Sequence, residues 1–339
     1  MYKAYITIPK GDIYNTFVTE KAHGEWEKFC VVEENPYDRQ LTGEEICALA
    51  QNADIIISGW NTTPYTEEIV QRLPNLKIMA YTGGSAADVS PDGSLYRYGV
   101  KVLSGNEYFA KSVAEACLCY TICALRKVGL YYTEMKQFGW NTSPWENRGL
   151  YGKKVGIIGY GAISKYFCEM LKLFTDDILV YSGHLSAEKA AGLGLKKADR
   201  EEIFSTCDVV SVHSALKPET VGSVSRELMS LMKQDAVLVN TARGAVVDEA
   251  AMIDLLRTGK IYAALDVYSV ESPISGVLEE LKTLDRAFIM PHMGGPTIDM
   301  RGYLTGELAK EVRGYLESGK PMLSEVQASQ TANMSRDIH

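Results

Sequence analysis

The sequence predicts an α/β protein built from two Rossmann-like or flavodoxin-like domains with parallel sheets. Its 339 residues exceed the length of about 250–300 residues at which a single hydrophobic core usually stops growing, which favours two domains. Short apolar segments of strand composition alternate with segments of helical periodicity, a pattern typical of βαβ units and parallel sheets. One strand near the middle of the chain leads through closely spaced glycines into a helix, as in nucleotide-binding α/β domains.

Residues 1 to about 105 form the first of two alternating series. Helices are predicted over Thr42–Gln51 and Pro64–Leu73. The strands predicted in this series are Ala4–Ile8, Phe29–Val32, Asp54–Ser58, Leu76–Ala80 and Val100–Leu103.

An apolar helix follows the first series. Ser112 and Glu115 have the spacing of a capping box, which predicts a helix over Ala114–Lys127 that ends at Gly129. Because this helix is apolar on nearly all sides, we expect it to be buried between domains or between subunits.

A second alternating series begins at Lys154. Its predicted strands are Val155–Ile158, Ile178–Tyr181, Val209–His213, Ala236–Asn240, Ala263–Val267 and Ala287–Met290. A helix over Asp299–Ser318 then returns the chain toward the first domain. We therefore expect a dinucleotide-binding domain, residues 106–295, inserted in a split substrate domain formed by residues 1–105 and 296–339.

The composition argues against several classes of function. The chain is 46% hydrophobic and 23% charged, as in ordinary globular proteins, and its net charge of −8 with no cluster of Lys or Arg argues against a nucleic-acid surface. No signal peptide is expected at the N-terminus. The longest apolar run, within Ala116–Leu125, is far shorter than the ~20 residues that span a bilayer. We expect a cytoplasmic protein that binds neither nucleic acid nor membrane.

The seven cysteines form no CxxC pair, and their number is odd. Three of them, Cys117, Cys119 and Cys123, lie in the predicted apolar helix, where a thiol behaves as a small apolar side chain. Because the Cys and His spacings of zinc sites are missing, no metal is expected.

The segment from Val155 has the features of a dinucleotide-binding loop. Gly159 permits a tight turn, and Gly161 allows the backbone to approach a pyrophosphate at the start of the next helix. Ser164 stands where the third glycine of the pattern is usual, and its small side chain still allows the helix to pack near the strand. The strand before and the helix after the glycines favour a binding loop over a structural turn.

The end of the second strand of this series bears on the choice of cofactor. Ser182 stands where an acidic residue usually binds the adenosine ribose. Without that carboxylate a 2′-phosphate is not repelled, Ser182 can hydrogen-bond it, and His184 or Lys189 can add positive charge, although no arginine follows directly. This pattern favours NADP(H) over NAD(H) and leaves both open.

Arg243, Glu271 and His292 form a candidate binding and proton-transfer set. Arg243 follows an apolar strand and can donate two hydrogen bonds to a carboxylate and an adjacent carbonyl. His292, between Pro291 and two glycines, can protonate a carbonyl oxygen as an alcohol forms. A carboxylate at Glu271 would favour the imidazolium form. Together with the dinucleotide loop, these residues predict hydride transfer to a 2-keto acid.

Five motifs occur in the order VGIIGYGAIS, DVVSVHSALKPETVG, NTARGAVVDEAAM, AALDVYSVESP and PHMGGPT. In this order and spacing the chain resembles the D-2-hydroxyacid dehydrogenase family. The resemblance implies that the arginine, glutamate and histidine above are catalytic. It also implies cofactor contacts: Asp266 near the nicotinamide amide, Thr241 and Ala242 beside its ribose, and Ser214 and Ala215 on the adenine side.

All the predicted cofactor contacts follow strands of the second series. They are Gly159, Tyr160, Gly161, Ala162, Ile163, Ser182, His184, Ser214, Ala215, Thr241, Ala242, Arg243, Asp266, His292 and Gly294.

The first domain contains the other predicted substrate contacts. The predicted substrate loop includes Gly83, Gly84 and Ser85, and the backbone N–H groups of Gly84 and Ser85 can bind a carboxylate. Trp60 narrows a second wall of the pocket. Tyr81 stands where many members of the family have arginine. The missing ribose carboxylate resembles the NADPH-using glyoxylate/hydroxypyruvate reductases of the family. We therefore predict reversible NAD(P)H-dependent reduction of a small 2-keto acid to a D-2-hydroxy acid.

Two alternatives remain at this point. One is a D-3-phosphoglycerate dehydrogenase-like enzyme, although no basic cluster lines the predicted loop. The other is a corepressor-like protein that senses dinucleotide on the same fold. The apolar helix and an aromatic loop containing Trp140 and Trp145 predict a homodimer, as the resemblance does.

Overall fold

The computed structural model describes residues 1–140, 142–273 and 275–331, and the chain forms two structural units. Unit 1 contains Met1–Phe109 and the described residues from Pro296 onward, and unit 2 contains Ala110–Gly295. The sequence analysis placed its domain boundaries after residues 105 and 295. Residues 332–339, which it assigned to the substrate domain, lie outside the described residues.

Six strands, numbered along the whole chain, form the sheet of unit 1: β1 Tyr2–Ile6, β2 Cys30–Glu34, β3 Ile55–Ser58, β4 Ile78–Tyr81, β5 Lys101–Ser104 and β13 Glu325–Val326. Their order is β13-β5-β4-β3-β1-β2. The first five strands of the chain are parallel, which confirms the predicted arrangement, whereas β13 pairs antiparallel with β5 and was not predicted. The chain reverses its direction across the sheet between β1 and β3, the position at which such sheets bind ligands.

Seven parallel strands form the sheet of unit 2: β6 Val155–Ile158, β7 Ile178–Tyr181, β8 Lys196–Lys197, β9 Val209–Val212, β10 Ala236–Asn240, β11 Ile261–Leu265 and β12 Ala287–Ile289. Their order is β12-β11-β10-β9-β6-β7-β8, the doubly wound order of dinucleotide-binding domains with one strand added at the edge. All six predicted strands are present. The two-residue strand β8 was missed because two lysines give no apolar pattern.

Helices connect the strands. Those of unit 1 are α1 Asp12–Phe17, α2 Glu20–Glu27, α3 Gly43–Leu49, α4 Glu67–Gln71, α5 Ser94–Arg97, α14 Ile298–Ser318 and α15 Ala328–Thr331. Those of unit 2 are α7 Val128–Phe138, α8 Ala162–Leu171, α9 Ala187–Gly192, α10 Arg200–Thr206, α11 Arg226–Leu231, α12 Glu249–Arg257 and α13 Gly276–Leu281.

The remaining helix, α6 Asn106–Arg126, differs from its prediction at both ends. It begins before Ser112, whose hydroxyl donates to the Gly295 carbonyl (2.9 Å) instead of capping the helix. It ends at Arg126, because the next residue, Lys127, adopts a left-handed conformation with φ 54°, so the predicted end at Gly129 is wrong. By length and composition α6 could cross a membrane, but half of its most apolar window is buried inside the protein, as in the core helix of a globular domain.

Each sheet is covered by apolar cores on both faces. In β3, Ile56 packs into one core while Ile55 and Ile57 pack into the other. In β10, Leu238 and Val239 likewise belong to opposite cores. Because successive side chains of a strand point to opposite faces, strands buried on both faces read as continuous apolar runs. Burial of both faces therefore explains the continuous apolar runs from which these strands were predicted.

Gly156, in β6, allows α10 to pack closely on the sheet. A Cβ at this position would lie 2.3 Å from Ile203 Cγ2 and 3.1 Å from Cys207 Sγ. Ile203 and Cys207 are fully buried, so neither has free space into which to move. Glycine is therefore required here for packing and not for its backbone freedom.

We expect Gly156→Ala to lower the free energy of unfolding by about 1–3 kcal/mol, the usual cost of overpacking a core. Gly149→Ala is the matched control, because a Cβ there meets nothing within 4 Å, and it should change the free energy by less than about 0.5 kcal/mol. Urea unfolding of the three proteins measures both values. Equal stability of the two variants would contradict the packing role of Gly156.

Candidate active site

The carboxyl edge of the unit 2 sheet collects the site residues that the sequence analysis predicted in this unit. Because all seven strands are parallel, the loops that follow them lie on the same edge. Gly159–Ile163 follow β6, Ser182 and His184 follow β7, and Ser214 and Ala215 follow β9. Thr241, Ala242 and Arg243 follow β10, Asp266 and Glu271 follow β11, and His292 and Gly294 follow β12.

The loop after β6 has the geometry of a dinucleotide-binding turn. Gly159 has a φ of +95°, and a Cβ there would lie 2.9 Å from the backbone carbon of His213. A Cβ at Gly161 would meet nothing within 4 Å, which leaves room for a ligand. Helix α8 begins at Ala162, so the N–H groups of Ala162 and Ile163 have no acceptors within the helix and can bind phosphate oxygens. These residues fit a dinucleotide pyrophosphate.

Ser164 does more than replace a glycine of the usual pattern. Its buried hydroxyl accepts a hydrogen bond from the Gly161 N–H (2.7 Å) and donates one to the Gly161 carbonyl (3.1 Å). The serine therefore holds the turn closed from inside the helix. The sequence analysis considered only its size.

The loops after β7 and β9 are each held by a hydrogen bond of a serine hydroxyl. The buried Ser182 hydroxyl accepts the His184 N–H (3.3 Å), and Ser214 donates to the Ile158 carbonyl (3.3 Å). The exposed Ala215 and the exposed His184 side chain are on the solvent side of this edge. No carboxylate of the loop after β7 replaces the missing ribose acid, since that loop contains none.

His213, at the end of β9, is a structural histidine. Its Nε2 lies 2.9 Å from Ser211 Oγ, and its ring packs against Phe167 with a centroid distance of 5.5 Å. Burial disfavours the charged ring and lowers the pKa of His213 to about 3. His213 is therefore neutral in the folded protein at physiological pH.

Glu271 and His292 form the predicted pair. His292 Nδ1 lies 2.7 Å from Glu271 Oε2, with about half of each side chain exposed (50% and 42%). The Glu271 carboxyl also approaches the Tyr268 N–H at 3.5 Å. Because the carboxyl holds the Nδ1 side of the ring, Nε2 is the nitrogen that can exchange a proton with a substrate.

The loop that contains His292 is fixed by Asp266, which is 2% exposed at the end of β11. The two oxygens of its carboxyl group accept the N–H groups of Met293 and Gly294, each at 2.8 Å. A Cβ at Gly294 would lie 2.7 Å from Asp266 Oδ2, so this contact requires glycine. His292 itself has a φ of 54°, a conformation that is uncommon without glycine. The family resemblance implied a contact of Asp266 with the cofactor, and its role in holding the histidine loop was not predicted.

Two further contacts support the same region. The Tyr268 hydroxyl donates to the Met290 carbonyl (2.9 Å), just before the histidine loop. The Tyr120 hydroxyl of α6 donates to Asp266 (3.4 Å), and burial together with the Asp266 charge raises the pKa of Tyr120 above its ordinary value. The tyrosines therefore act as neutral donors.

Close packing of the next residue, Gly244, positions Arg243. A Cβ at Gly244 would lie 1.9 Å from the Tyr268 carbonyl carbon, so the loop after β10 contacts the loop that leads to Glu271 backbone to backbone. Arg243 Nη1 donates to the Ala242 carbonyl (2.6 Å), and Asn240 donates to the Arg243 carbonyl (3.0 Å). These contacts fix the backbone and one end of the guanidinium of Arg243 at the carboxyl edge of the sheet.

Thr241, which the resemblance places beside the nicotinamide ribose, is buried, and its Oγ1 lies 2.8 Å from Cys117 Sγ on α6. Burial raises the pKa of the Cys117 thiol to about 12, so the thiol is protonated and unreactive. Within the described residues, no group of three or more His, Cys, Asp or Glu side chains is arranged to hold a metal ion.

The substrate contacts predicted in unit 1 lie at the carboxyl edge of its sheet. Trp60 follows β3 and packs edge-on against Phe17 (4.9 Å), with the Arg301 guanidinium 4.9 Å from its ring. Gly83, Gly84 and Ser85 follow β4. Within the described part of the chain, Trp60 Nε1 and Ser85 Oγ are buried without a hydrogen-bond partner. Both are donors that a bound acid can satisfy.

Tyr81 is part of the scaffold of this loop. Its ring is fully buried beneath Gly83, where a Cβ would lie 2.2 Å from Tyr81 Cζ, and its hydroxyl donates to Asp88 (2.7 Å). Tyr81 therefore does not take the place of a substrate-binding arginine.

Comparisons with known proteins agree with this architecture. Residues 118–294 match the family described as D-isomer specific 2-hydroxyacid dehydrogenase, NAD binding domain. The chain is 30% identical to D-3-phosphoglycerate dehydrogenase of Methanocaldococcus jannaschii, over 81% of this chain and 53% of that protein. It is 28% identical to hydroxypyruvate reductase of Thermotoga maritima, over 80% of this chain and 88% of that protein.

The chain thus spans about half the length of the D-3-phosphoglycerate dehydrogenases it matches. Its fold is that of the D-isomer specific 2-hydroxyacid dehydrogenase from Lactobacillus delbrueckii ssp. bulgaricus. The TM-score is 0.79 at 22% identity, covering 96% of this chain and 100% of that one.

The neutral state of His213 has a consequence for stability. Unfolded histidine has a pKa near 6.5, well above the folded value of about 3, so the unfolded chain binds the extra proton as the pH falls below about 6.5. The folded protein is therefore destabilised on acidification, and by pH 5 protonation of this histidine in the unfolded chain should lower the free energy of unfolding by about 2 kcal/mol.

Between pH 7 and pH 5, the free energy of unfolding should fall by about 2 kcal/mol less in His213→Gln than in the original protein. Urea unfolding at the two pH values measures this difference. His184→Gln, which changes an exposed histidine, should retain the original pH dependence. An unchanged pH dependence in His213→Gln would show that His213 does not carry the effect.

Proposed function

The chain belongs to the D-isomer specific 2-hydroxyacid dehydrogenase family, and we propose that it catalyses reversible NAD(P)H-dependent reduction of a small 2-keto acid to a D-2-hydroxy acid. The observation that carries this proposal is the 2.7 Å contact between His292 Nδ1 and Glu271. This pair lies at the edge of the sheet whose first loop fits a dinucleotide. A histidine whose ring is held by a carboxyl group on one side is suited to transfer a proton to a carbonyl oxygen from the other.

The chain's own residues divide the work of the reaction. The Arg243 guanidinium donates two hydrogen bonds, which hold the carboxylate and polarise the neighbouring carbonyl. His292 Nε2 donates a proton to the carbonyl oxygen, and Glu271 stabilises the imidazolium that exists before this transfer. In the reverse direction His292 accepts the proton from the alcohol. A bound nicotinamide supplies the hydride for reduction and accepts it in oxidation.

We assign the side chain of the acid to the unit 1 loops that contain Trp60 and Gly83–Ser85. The unpartnered donors Trp60 Nε1 and Ser85 Oγ support this assignment. Neither residues 59–61 nor residues 82–85 include lysine or arginine. A small uncharged side chain, as in glyoxylate or hydroxypyruvate, suits such loops.

The second candidate is a D-3-phosphoglycerate dehydrogenase activity, which the names of several relatives favour. Its substrate has a phosphate, which proteins usually bind with arginine or lysine. The lack of these residues in the two unit 1 loops is the reason for placing this activity second.

For the cofactor, NADP(H) is favoured over NAD(H). Ser182 replaces the carboxylate that would bind the ribose diol and repel a 2′-phosphate, and the exposed His184 follows it. The proposed preference for NADP(H) therefore rests on Ser182 and His184, as it did in the sequence analysis.

A cytoplasmic homodimer is also part of the proposal. Tyr132, Phe138, Trp140 and Trp145 are each more than 60% exposed and form an apolar stretch in and after α7, which a second copy of the chain could cover. The seven cysteines are free thiols, as expected in a reducing compartment.

The assay that tests this function follows NADPH and NADH oxidation at 340 nm with glyoxylate, hydroxypyruvate, pyruvate and 3-phosphohydroxypyruvate. We expect turnover with a small unphosphorylated acid. We also expect His292→Gln to lower kcat by about 100-fold to 10,000-fold, the usual contribution of an acid–base group, with little change in dinucleotide affinity. His23→Gln, which changes a histidine of unit 1, should retain full activity.

Preferred turnover of 3-phosphohydroxypyruvate would favour the second candidate. Tight dinucleotide binding without turnover of any acid would instead favour a sensor on the same fold. Equal loss of activity and dinucleotide binding in His292→Gln would overturn the proton-donor role.

A further inference from the structure

The adenosine end of the unit 2 sheet contains an arginine that the sequence pattern does not reveal. No arginine directly follows Ser182, at the end of β7. Strand β8 pairs in parallel with β7, with Val180 opposite Lys197, and the Ala198 N–H donates to the Val180 carbonyl (3.0 Å). The residues after β8 therefore continue beside Ser182 along the same edge, and Arg200 is among them.

The side chain of Arg200 is directed toward β7. Its guanidinium carbon lies 5.5 Å from the centre of the Tyr181 ring, and Tyr181 directly precedes Ser182. Arg200 Nη1 donates to the Ser223 carbonyl (3.3 Å). A guanidinium has five N–H donors, so this anchor orients the group and leaves donors for a ligand.

Three carboxyl groups flank Arg200 at the start of α10. Asp199 accepts the Glu202 N–H (2.7 Å) and thereby caps α10, and Glu201 and Glu202 are exposed in the first turn of that helix. Without a cation, these carboxylates would oppose the binding of a phosphate at Ser182. The half-buried Arg200 supplies a charge of the required sign at Tyr181, which directly precedes the serine that replaces the ribose acid.

We infer that Arg200 binds the 2′-phosphate of NADP(H), together with Ser182, and so sets the choice of cofactor. This inference rests on the cofactor preference proposed above. The guanidinium presents charge-assisted hydrogen bonds to phosphate oxygens, and its contact with Tyr181 keeps it in place when the site is empty of phosphate. NADH lacks the phosphate and gains nothing from Arg200.

The test measures binding and does not depend on turnover. Dissociation constants for NADPH, NADH, 2′,5′-ADP and 5′-AMP are compared in the original protein, Arg200→Gln and Arg200→Lys. Lys196→Gln is the matched control, because it also removes one positive charge. Lys196 lies in β8 and is paired with Asp177 (2.8 Å), which directly precedes β7 and is therefore at the opposite end of that strand from Ser182.

We expect Arg200→Gln to raise the dissociation constants of NADPH and 2′,5′-ADP by about tenfold to a hundredfold, as for loss of hydrogen bonds to a charged group. The dissociation constants of NADH and 5′-AMP should rise by less than about twofold. Arg200→Lys should retain part of the NADPH affinity, and Lys196→Gln should bind all four ligands normally.

Three results would overturn the inference: equal NADPH affinity in Arg200→Gln and Lys196→Gln, equal weakening of NADPH and NADH, or tighter binding of NADH than NADPH by the original protein. Only the last also removes the proposed cofactor preference. Failure of the protein to reduce any keto acid would contradict the proposed reaction, but it would leave the binding result, and thus the role of Arg200, intact.

Discussion

The buried carboxyl group of Asp266 holds the loop on which the proposed chemistry depends. Burying a carboxyl group costs free energy unless it is hydrogen-bonded, and here the N–H groups of Met293 and Gly294 provide the bonds. These two residues directly follow His292, so the same contacts keep the histidine in its left-handed conformation. The ring then meets Glu271, which is on the loop that begins at Asp266. One strand end thus organises both members of the proton-transfer pair.

Close backbone approach at glycine is the second constraint on unit 2. Gly159 brings the cofactor loop against His213, and Gly244 brings the Arg243 loop against Tyr268. At both positions a Cβ would lie less than 3 Å from backbone atoms, so any side chain would move one loop relative to the next. Parallel strands place these loops on one edge, and the glycines set the spacing within it. Positioning of this kind contributes much of the catalytic power of an enzyme.

Much of this could be predicted from the sequence, because it depends on local patterns. Buried strands such as β10 are continuous apolar runs, and the Gly159 loop combines a strand, a turn and a helix within a few residues. The pairing of His292 with Glu271 was also predicted, because a carboxylate beside the ring favours the imidazolium and because both residues match motifs of the family.

The features that the sequence did not reveal depend on contacts between distant segments. Strand β8 exists because it pairs with β7, and only that pairing brings Arg200 beside Tyr181. The end of α6 depends on a left-handed Lys127, a conformation that lysine rarely adopts and that no residue pattern indicates. The bonds from Met293 and Gly294 to Asp266 join residues more than 25 positions apart.

The central claim is that the Asp266 carboxyl group positions His292, and the measurement that tests it most directly is amide hydrogen exchange combined with turnover in Asp266→Asn. An asparagine can accept only one of the two N–H groups, so we expect faster exchange at Met293 and Gly294. We also expect kcat to fall by about tenfold to a hundredfold. Faster exchange with unchanged turnover, or a loss confined to dinucleotide affinity, would contradict the claim.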